Sequence, residues 1–307
     1  MKLNTLRALV VAVEDGSLRG AARRLGVSQP ALTKMIRELE LELAAPLLVR
    51  TTRGVVPTAQ GQVLYQHALR VSRELTEATD QIRQLGGDMQ GQLNVGAVPV
   101  ALMVLIPETL RTFCEAYPGI RLRIHEDMFV DQLQRLRSGQ VDITVGGVPE
   151  GLASGGFVAE VLIDTTMVVV ARKGGPHQHA RRLGDLAQAP WVYTSVTNDT
   201  GYAQQLFAQH GLPPPPVGAV VNSTLALLAL VGMGDYVGLL PHQIAQHPLV
   251  ADHVEVLPLA EVGLPLQIGA IIRSDSVVSP AIRQFIAHLH RAAHHWAHTG
   301  VRSPQAG

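Results

Sequence analysis

The chain of 307 residues has a single cysteine, Cys114, so no disulfide can close within it, and a reducing compartment is expected. Charged residues make up only 16%, and the two signs cancel at 25 each. No apolar run approaches the ~20 residues that a membrane span requires. The segment Leu9–Val13 is too short for the apolar stretch of an export signal and runs into Glu14 and Asp15. A cytoplasmic product with no membrane partner is the expectation. The sequence also lacks a Walker-type loop, a GxSxG elbow, an HExxH pair and a dinucleotide fingerprint. An α/β enzyme is therefore disfavoured, and no cofactor is expected.

Hydrophobic residues reach 47%, enough for a sizeable core, and the length suits two or three compact units. The charge balance is uneven. Residues 1–58 hold nine Lys and Arg against five Asp and Glu, and the remainder sixteen against twenty. A positive tip on a slightly acidic body fits a nucleic-acid-binding end joined to a second module.

The stretch Gly16–Thr58 carries the most information. Ser17 can cap a short helix, Leu18–Leu25, and Gly26 supplies the turn that ends it. Ser28 then caps a second helix with Pro30 in its first turn, where a missing N–H costs nothing. Leu32, Met35, Ile36, Leu39 and Leu43 form one apolar stripe. Gln29, Pro30, Thr33, Lys34 and Arg37 lie on another face, with amide, hydroxyl and cationic groups suited to base edges and phosphates in a major groove. Leu48–Thr51 and Val55–Pro57 read as two short strands of a wing. Arg50 and Arg53 would project from it toward the phosphate backbone. Upstream, Leu3, Leu6, Val10 and Val13 share a helical face.

This order of an N-terminal helix, SLxxAAxxLxVSQPALTxxIxxLE and APLLVRTxRG resembles the LysR-type transcriptional regulators. The resemblance extends over nearly the whole chain. It implies an α/β fold: an N-terminal winged helix-turn-helix, a long linker helix, then a two-lobed α/β effector domain like the periplasmic binding proteins. The expected divisions are 1–58 for DNA binding, 59–86 for the linker, 87–91 for a hinge and 92–307 for effector binding. Lobe I would take 92–164 and 270–307, and lobe II 165–269. The function implied is a ligand-responsive, sequence-specific regulator. Its partners would be promoter DNA, a small anionic effector, further copies of itself as a homodimer or homotetramer, and RNA polymerase. An architectural DNA-binding protein without effector is the rival reading, disfavoured because the α/β body is more than two-thirds of the chain.

Within the linker, Leu64, Ala68, Val71, Leu75, Ala78, Ile82 and Leu85 recur at alternating spacings of four and three. That is a heptad seam along a helix roughly 40 Å long. Its simplest partner is a second copy; packing within its own domain is the alternative. Beyond the hinge, strands and helices alternate. The expected elements are a strand at Gln92–Ala97, a helix at Leu102–Ala116, a strand at Ile120–Glu126, a helix at Asp131–Ser138 and a strand at Val141–Gly146. Further strands are expected at Thr165–Ala171, Trp191–Thr194, Val217–Val221, Val237–Leu240 and Leu266–Ile272, and helices about Gly201–His210, from Thr224, and at Pro280–His298.

In such folds ligands bind beyond the carboxyl ends of strands, between the lobes. Strand ends place Val98, Pro99, Val100, Ala101, Met128, Phe129, Gly147 and Val148 on one wall, and Thr194, Ser195, Thr197, Asn198, Asn222, Ser223 and Thr224 on the other. Many LysR relatives carry Ser or Thr after the first strand of this domain. This chain has Val98-Pro99-Val100-Ala101 there, leaving the N–H groups of Val100 and Ala101 to meet an anion. Met128 and Phe129 leave room for an apolar or aromatic body, with a core position as the alternative for Phe129. The wing and this aliphatic loop resemble the LysR subgroup that regulates catabolism of aromatic acids and sulfonates. Cys114, beside Phe113, reads as a small buried hydrophobe. His290, His294 and His298 share one face of the last helix, and with no nearby carboxylate in sequence they read as a solvated face. No metal site is expected.

Overall fold

A computed structural model describes residues 1–51, 54–194, 201–261, 263–275 and 277–299, with Arg50, Phe129, Val130 and Thr299 described through their backbone alone. The chain forms two compact units, Met1–Ile82 and Arg83–Gly307.

The first unit begins with three helices, α1 (Leu3–Asp15), α2 (Leu18–Leu25) and α3 (Gln29–Leu43). Ser17 Oγ accepts the Gly20 N–H and Ser28 Oγ accepts the Ala31 N–H, so each serine satisfies an orphan donor at a helix start. Gly26, at φ 66°, ends α2 in the left-handed region. Leu9, Ala21, Leu32, Ile36, Leu39 and Leu47 pack the core. Leu43 leaves the expected stripe and is exposed, because α3 ends there and Ala44 turns left-handed. Strands β1 (Leu48–Thr51) and β2 (Gly54–Pro57) pair antiparallel. Helix α4 (Ala59–Leu85) follows, with Thr58 Oγ1 accepting the Gly61 N–H at 2.9 Å. Leu64, Tyr65, Ala68 and Leu69 dock its first half on this core. Further along, Val71, Leu75, Ile82 and Leu85 are exposed.

In the second unit, one mixed sheet runs in the order β4-β3-β5-β11-β6-β9-β7-β8 among the described residues, with β10 also paired to β6. It starts with β3 (Gly91–Ala97), α5 (Pro99–Val104), α6 (Ile106–Ala116), β4 (Ile120–Glu126), α7 (Phe129–Arg137) and β5 (Ile143–Gly147). β3 is parallel to both β4 and β5, as alternating strands and helices lead one to expect. The single helix expected at Leu102–Ala116 is instead two. Pro107 has no N–H to give, and its ring would clash with the carbonyl one turn back, so the chain breaks at Leu105.

The strand expected at Thr165–Ala171 is the 16-residue β6 (Phe157–Arg172). After it come β7 (Trp191–Thr194), α8 (Tyr202–Gln209), β8 (Val217–Val221), α9 (Thr224–Met233), β9 (Val237–Pro241), α10 (His242–Ala245), β10 (Val254–Val256), β11 (Leu264–Arg273) and α11 (Pro280–Thr299). β6 and β11 lie antiparallel, with a register shift at Ile268/Gly269. β11 bonds β5 beside that shift, whereas β6 bonds β9 through Met167–Ala171. These two strands therefore join the two halves of the unit. At the far end of α4, buried Gln84 accepts the Ala281 N–H and donates to the Gln90 carbonyl.

Helices α6 and α11 pack through Phe113 and Phe285, edge to face at 5.3 Å. His288 is buried against them, its Nδ1 sharing a 2.7 Å hydrogen bond with the Thr112 hydroxyl. Burial, with Arg291 nearby, holds this imidazole below its ordinary 6.5. The unfolded chain therefore takes up the proton first, and His288 subtracts stability as pH falls from 6.5 through its lower folded value. Replacing His288 with Phe keeps an aromatic ring among aromatic neighbours and removes the titration. The drop in melting temperature between about pH 7.5 and about pH 5.5 should then be smaller than in the parent. An unchanged drop would show that His288 is not part of the acid response.

Candidate nucleic-acid interface and ligand cavity

In the first unit, the N-terminal half of α3 presents Gln29, Pro30, Lys34 and Arg37 to solvent. Thr33 lies among them, its hydroxyl donating to the Gln29 carbonyl at 2.9 Å. Glu40, on the same helix, accepts the N–H groups of Leu47 and Leu48 at 2.8 and 3.3 Å. That carboxylate fixes where β1 leaves α3. Gly54, at φ 128°, starts β2 so close to α1 that an added Cβ would lie 2.2 Å from the Gly16 carbonyl oxygen. The same carbonyl accepts the Val55 N–H at 2.8 Å. The wing is thus laid against the end of α1. Arg24 faces Glu14 and Asp15 at 2.9 and 3.0 Å, so part of the unit's positive charge is already matched.

In the second unit, the carboxyl ends of the strands surround a cavity of about 80 Å³ that opens to solvent. One wall is Val98, Pro99 and Val100 after β3, Met128 after β4, and Gly147 at the end of β5. The other is Thr194 at the end of β7, Tyr202 opening α8, Thr224 opening α9, and Leu239, Leu240, Pro241 and Ile244 around the β9–α10 turn. Met167, Leu266 and Ile268 come from the connecting strands. Beside Met128, the Asp127 side chain is 1% exposed and its Oδ1 lies 2.8 Å from Arg135 Nε. Its Oδ2 is buried without a hydrogen-bond partner among the described residues. Burial pushes this carboxyl above the usual carboxylate range against the pull of Arg135.

Two family models cover most of the chain. That for the bacterial regulatory helix-turn-helix protein, lysR family, matches residues 3–62, and that for the LysR substrate binding domain matches residues 86–294. The chain belongs to the LysR family. It is a DNA-binding transcriptional regulator with an effector-binding domain, not an enzyme.

Among relatives, this LysR protein is 32% identical to the HTH-type transcriptional regulator GalR of Pseudomonas putida, over 90% of this chain and 70% of that one. It is 31% identical to the SDS degradation transcriptional activation protein of a Pseudomonas species, over 91% of this chain and 92% of the other. In fold it is similar to full-length CbnR complexed with target DNA, with a TM-score of 0.69, 22% identity, and coverage of 95% of this chain and 100% of that one.

Of the residues expected around the LysR effector cleft, Val98, Pro99, Val100, Met128, Gly147, Thr194 and Thr224 meet at the cavity, whereas Val148 and Ser223 do not line it. Ala101 is fully buried and does not line it, and Asn222 is exposed and does not line it either. Ser195, Thr197 and Asn198, and the side chain of Phe129, lie outside the described residues, as do Arg53 and the side chain of Arg50. Sequence reasoning missed Met167, Tyr202, Leu239, Leu240, Pro241, Ile244, Leu266 and Ile268. The strand ends of β7 and β9 were legible, but which of them face β3 is set by sheet order. A signal did exist in Pro241, which stops β9 and turns the chain into α10.

Two side-chain expectations need correction. Cys114 is exposed, because α6 buries Ile106, Thr109 and Phe113, and the next residue is rotated by about 100° off that face. A carboxylate does join the late histidines: Glu160 of β6 lies 2.8 Å from His290 Nε2. His294 and His298 stack on each other instead, 4.2 Å apart. No helix among the described residues is long and apolar enough to cross a membrane.

Proposed function

We propose that this LysR regulator reads its operator with α3 and the wing, and that an effector in the cavity between the two halves of the second unit changes how it does so. Gln29, Pro30, Thr33, Lys34 and Arg37 face the major groove, and Arg50 and Arg53 hold the backbone. The single observation that carries this reading is the joint exposure of Gln29, Pro30, Lys34 and Arg37 on a helix whose opposite face is fully packed. Arg53→Ala should weaken binding to every DNA and lower the salt slope by about one unit. Thr33→Ala should instead narrow the gap between operator and random DNA. Titrations across salt concentrations check both, and parental behaviour of both variants would move the reading face elsewhere.

The exposed seam of α4 suits a second copy, and α9, without a charged residue, leaves Leu225 and Met233 exposed as a further apolar surface. Dimers, and tetramers built from them, are the proposed cytoplasmic form, acting with RNA polymerase at promoters. For the effector, the cavity supports an apolar body. A relative named for SDS degradation is in keeping with such a body. The anionic head expected from the sequence would meet only backbone N–H groups on the β3 side: α5 is six residues long, and Pro99 contributes no donor.

A further inference from the structure

Resting on the reading of this cavity as the effector site, we propose that the effector is uncharged: a compact apolar molecule carrying one hydroxyl or carbonyl group. Three observations converge on this. The first concerns charge. None of the described residues lining the cavity is Lys, Arg or His. An ionised group drawn into such a lining would lose its water without gaining a counter-ion, and would protonate or stay outside.

The second concerns what stands nearby. Asp127, before Met128, already engages Arg135, and His242, after Pro241, is held below its ordinary pKa by burial, so neither neighbour supplies a cation. Asp127 is buried, with one oxygen held by Arg135 and the other without a hydrogen-bond partner among the described residues. At α9, Ser223 Oγ already takes the Ala226 N–H, which removes one donor from the helix start beside Thr224.

The third concerns polarity within the cavity. Thr194, Tyr202 and Thr224 carry the only side-chain hydroxyls among its described lining residues. None of the three hydroxyls has a hydrogen-bond partner among the described residues, and burial alone raises the Tyr202 phenol. All three belong to the β7–α8–α9 wall, opposite the aliphatic wall of Val98, Val100 and Met128. A ligand with a polar end and an apolar body is thereby oriented. A site that hydrogen-bonds a ligand hydroxyl rejects the analogue that lacks one. Met128 and Met167 adapt to the shape of the body.

The test compares 4-isopropylbenzyl alcohol, 4-isopropylbenzoate and isopropylbenzene, with straight-chain alcohols as a second series, by calorimetry and melting shift on the full chain above pH 7. The alcohols should bind, with the carboxylate and the hydrocarbon at least about tenfold weaker. Tyr202→Phe and Thr224→Val should each bring the alcohol down toward the hydrocarbon while leaving the hydrocarbon itself unchanged. Equal or tighter binding of the carboxylate overturns the proposal, as does a failure of every alcohol to bind. Leu266→Trp, filling the cavity, separates the two levels. If it abolishes binding of a favoured carboxylate, the cavity stands and neutrality falls. If it leaves alcohol binding intact in a folded variant, the cavity reading itself falls.

Discussion

Gly54→Val should abolish measurable operator binding while leaving ligand binding in the second unit untouched. Gly54 sits at φ 128°, where a side chain is strained whatever the surrounding space. Strain of this kind costs of order 1–3 kcal/mol. The Cβ would also stand 2.2 Å from the Gly16 carbonyl oxygen, well inside any real contact, so β2 must lift from the end of α1. Lifting it breaks the Val55–Gly16 hydrogen bond and displaces β2, the strand that follows Arg53 in sequence. About 3 kcal/mol is roughly a hundredfold in affinity, and a wing that fails to order costs its phosphate contacts in addition. Gel-shift titration of purified variant and parent measures the loss, and a melting curve records how much stability the first unit gives up. Parental affinity would mean that the wing does not contribute to DNA binding.

Ile82→Asp should leave a protein that sediments as a monomer at concentrations where the parent is a dimer. Ile82 is 71% exposed and Leu75 46% exposed in the single chain, although both continue a heptad line whose first members are packed. A carboxylate in that line would be buried on pairing with no cation opposite it, a cost of several kcal/mol. Dimer affinity should weaken by two or more powers of ten. Operator affinity should fall with it, since two half-sites no longer share one ligand. An intact dimer by light scattering would assign the seam to some other contact. Leu75→Asp, one heptad earlier, should act in the same direction.

The helix-turn-helix was legible because each boundary there is set locally. Ser17, Gly26, Ser28 and Pro30 each impose a backbone choice that needs no distant partner. The same holds for β4, whose apolar and polar residues alternate, and for β7 and β8, whose short apolar runs match the observed strands. Longer-range geometry was less visible. The first half of β6 carries Glu160 and Asp164 on open faces, so it lacks the apolar run that marked Thr165–Ala171. Pro107 was present in the sequence, yet the apolar period running through it concealed the break at Leu105. Half of the cavity was assembled from strand ends alone. The rest came from β9, α10 and the connecting strands, whose approach to β3 depends on the order of the whole sheet. Glu40 and Gln84 were not legible, since a polar residue on a helix gives no sign of which distant N–H it will meet.

The paired connection between the two halves of the second unit has a mechanical consequence. β6 and β11 are bonded to each other from Leu264 to Arg273, so the halves are joined by a band two strands wide and not by a cord. A band of this kind flexes across its width and resists shear along it, because sliding would break every rung of the ladder at once. The irregularity at Ile268/Gly269 is where rungs are already out of step, and the bend concentrates there. The effector-binding unit then has one soft angle. On the proposed reading, ligands of different bulk would differ in where they stop that angle, so a poor inducer and a good one would lie on the same scale.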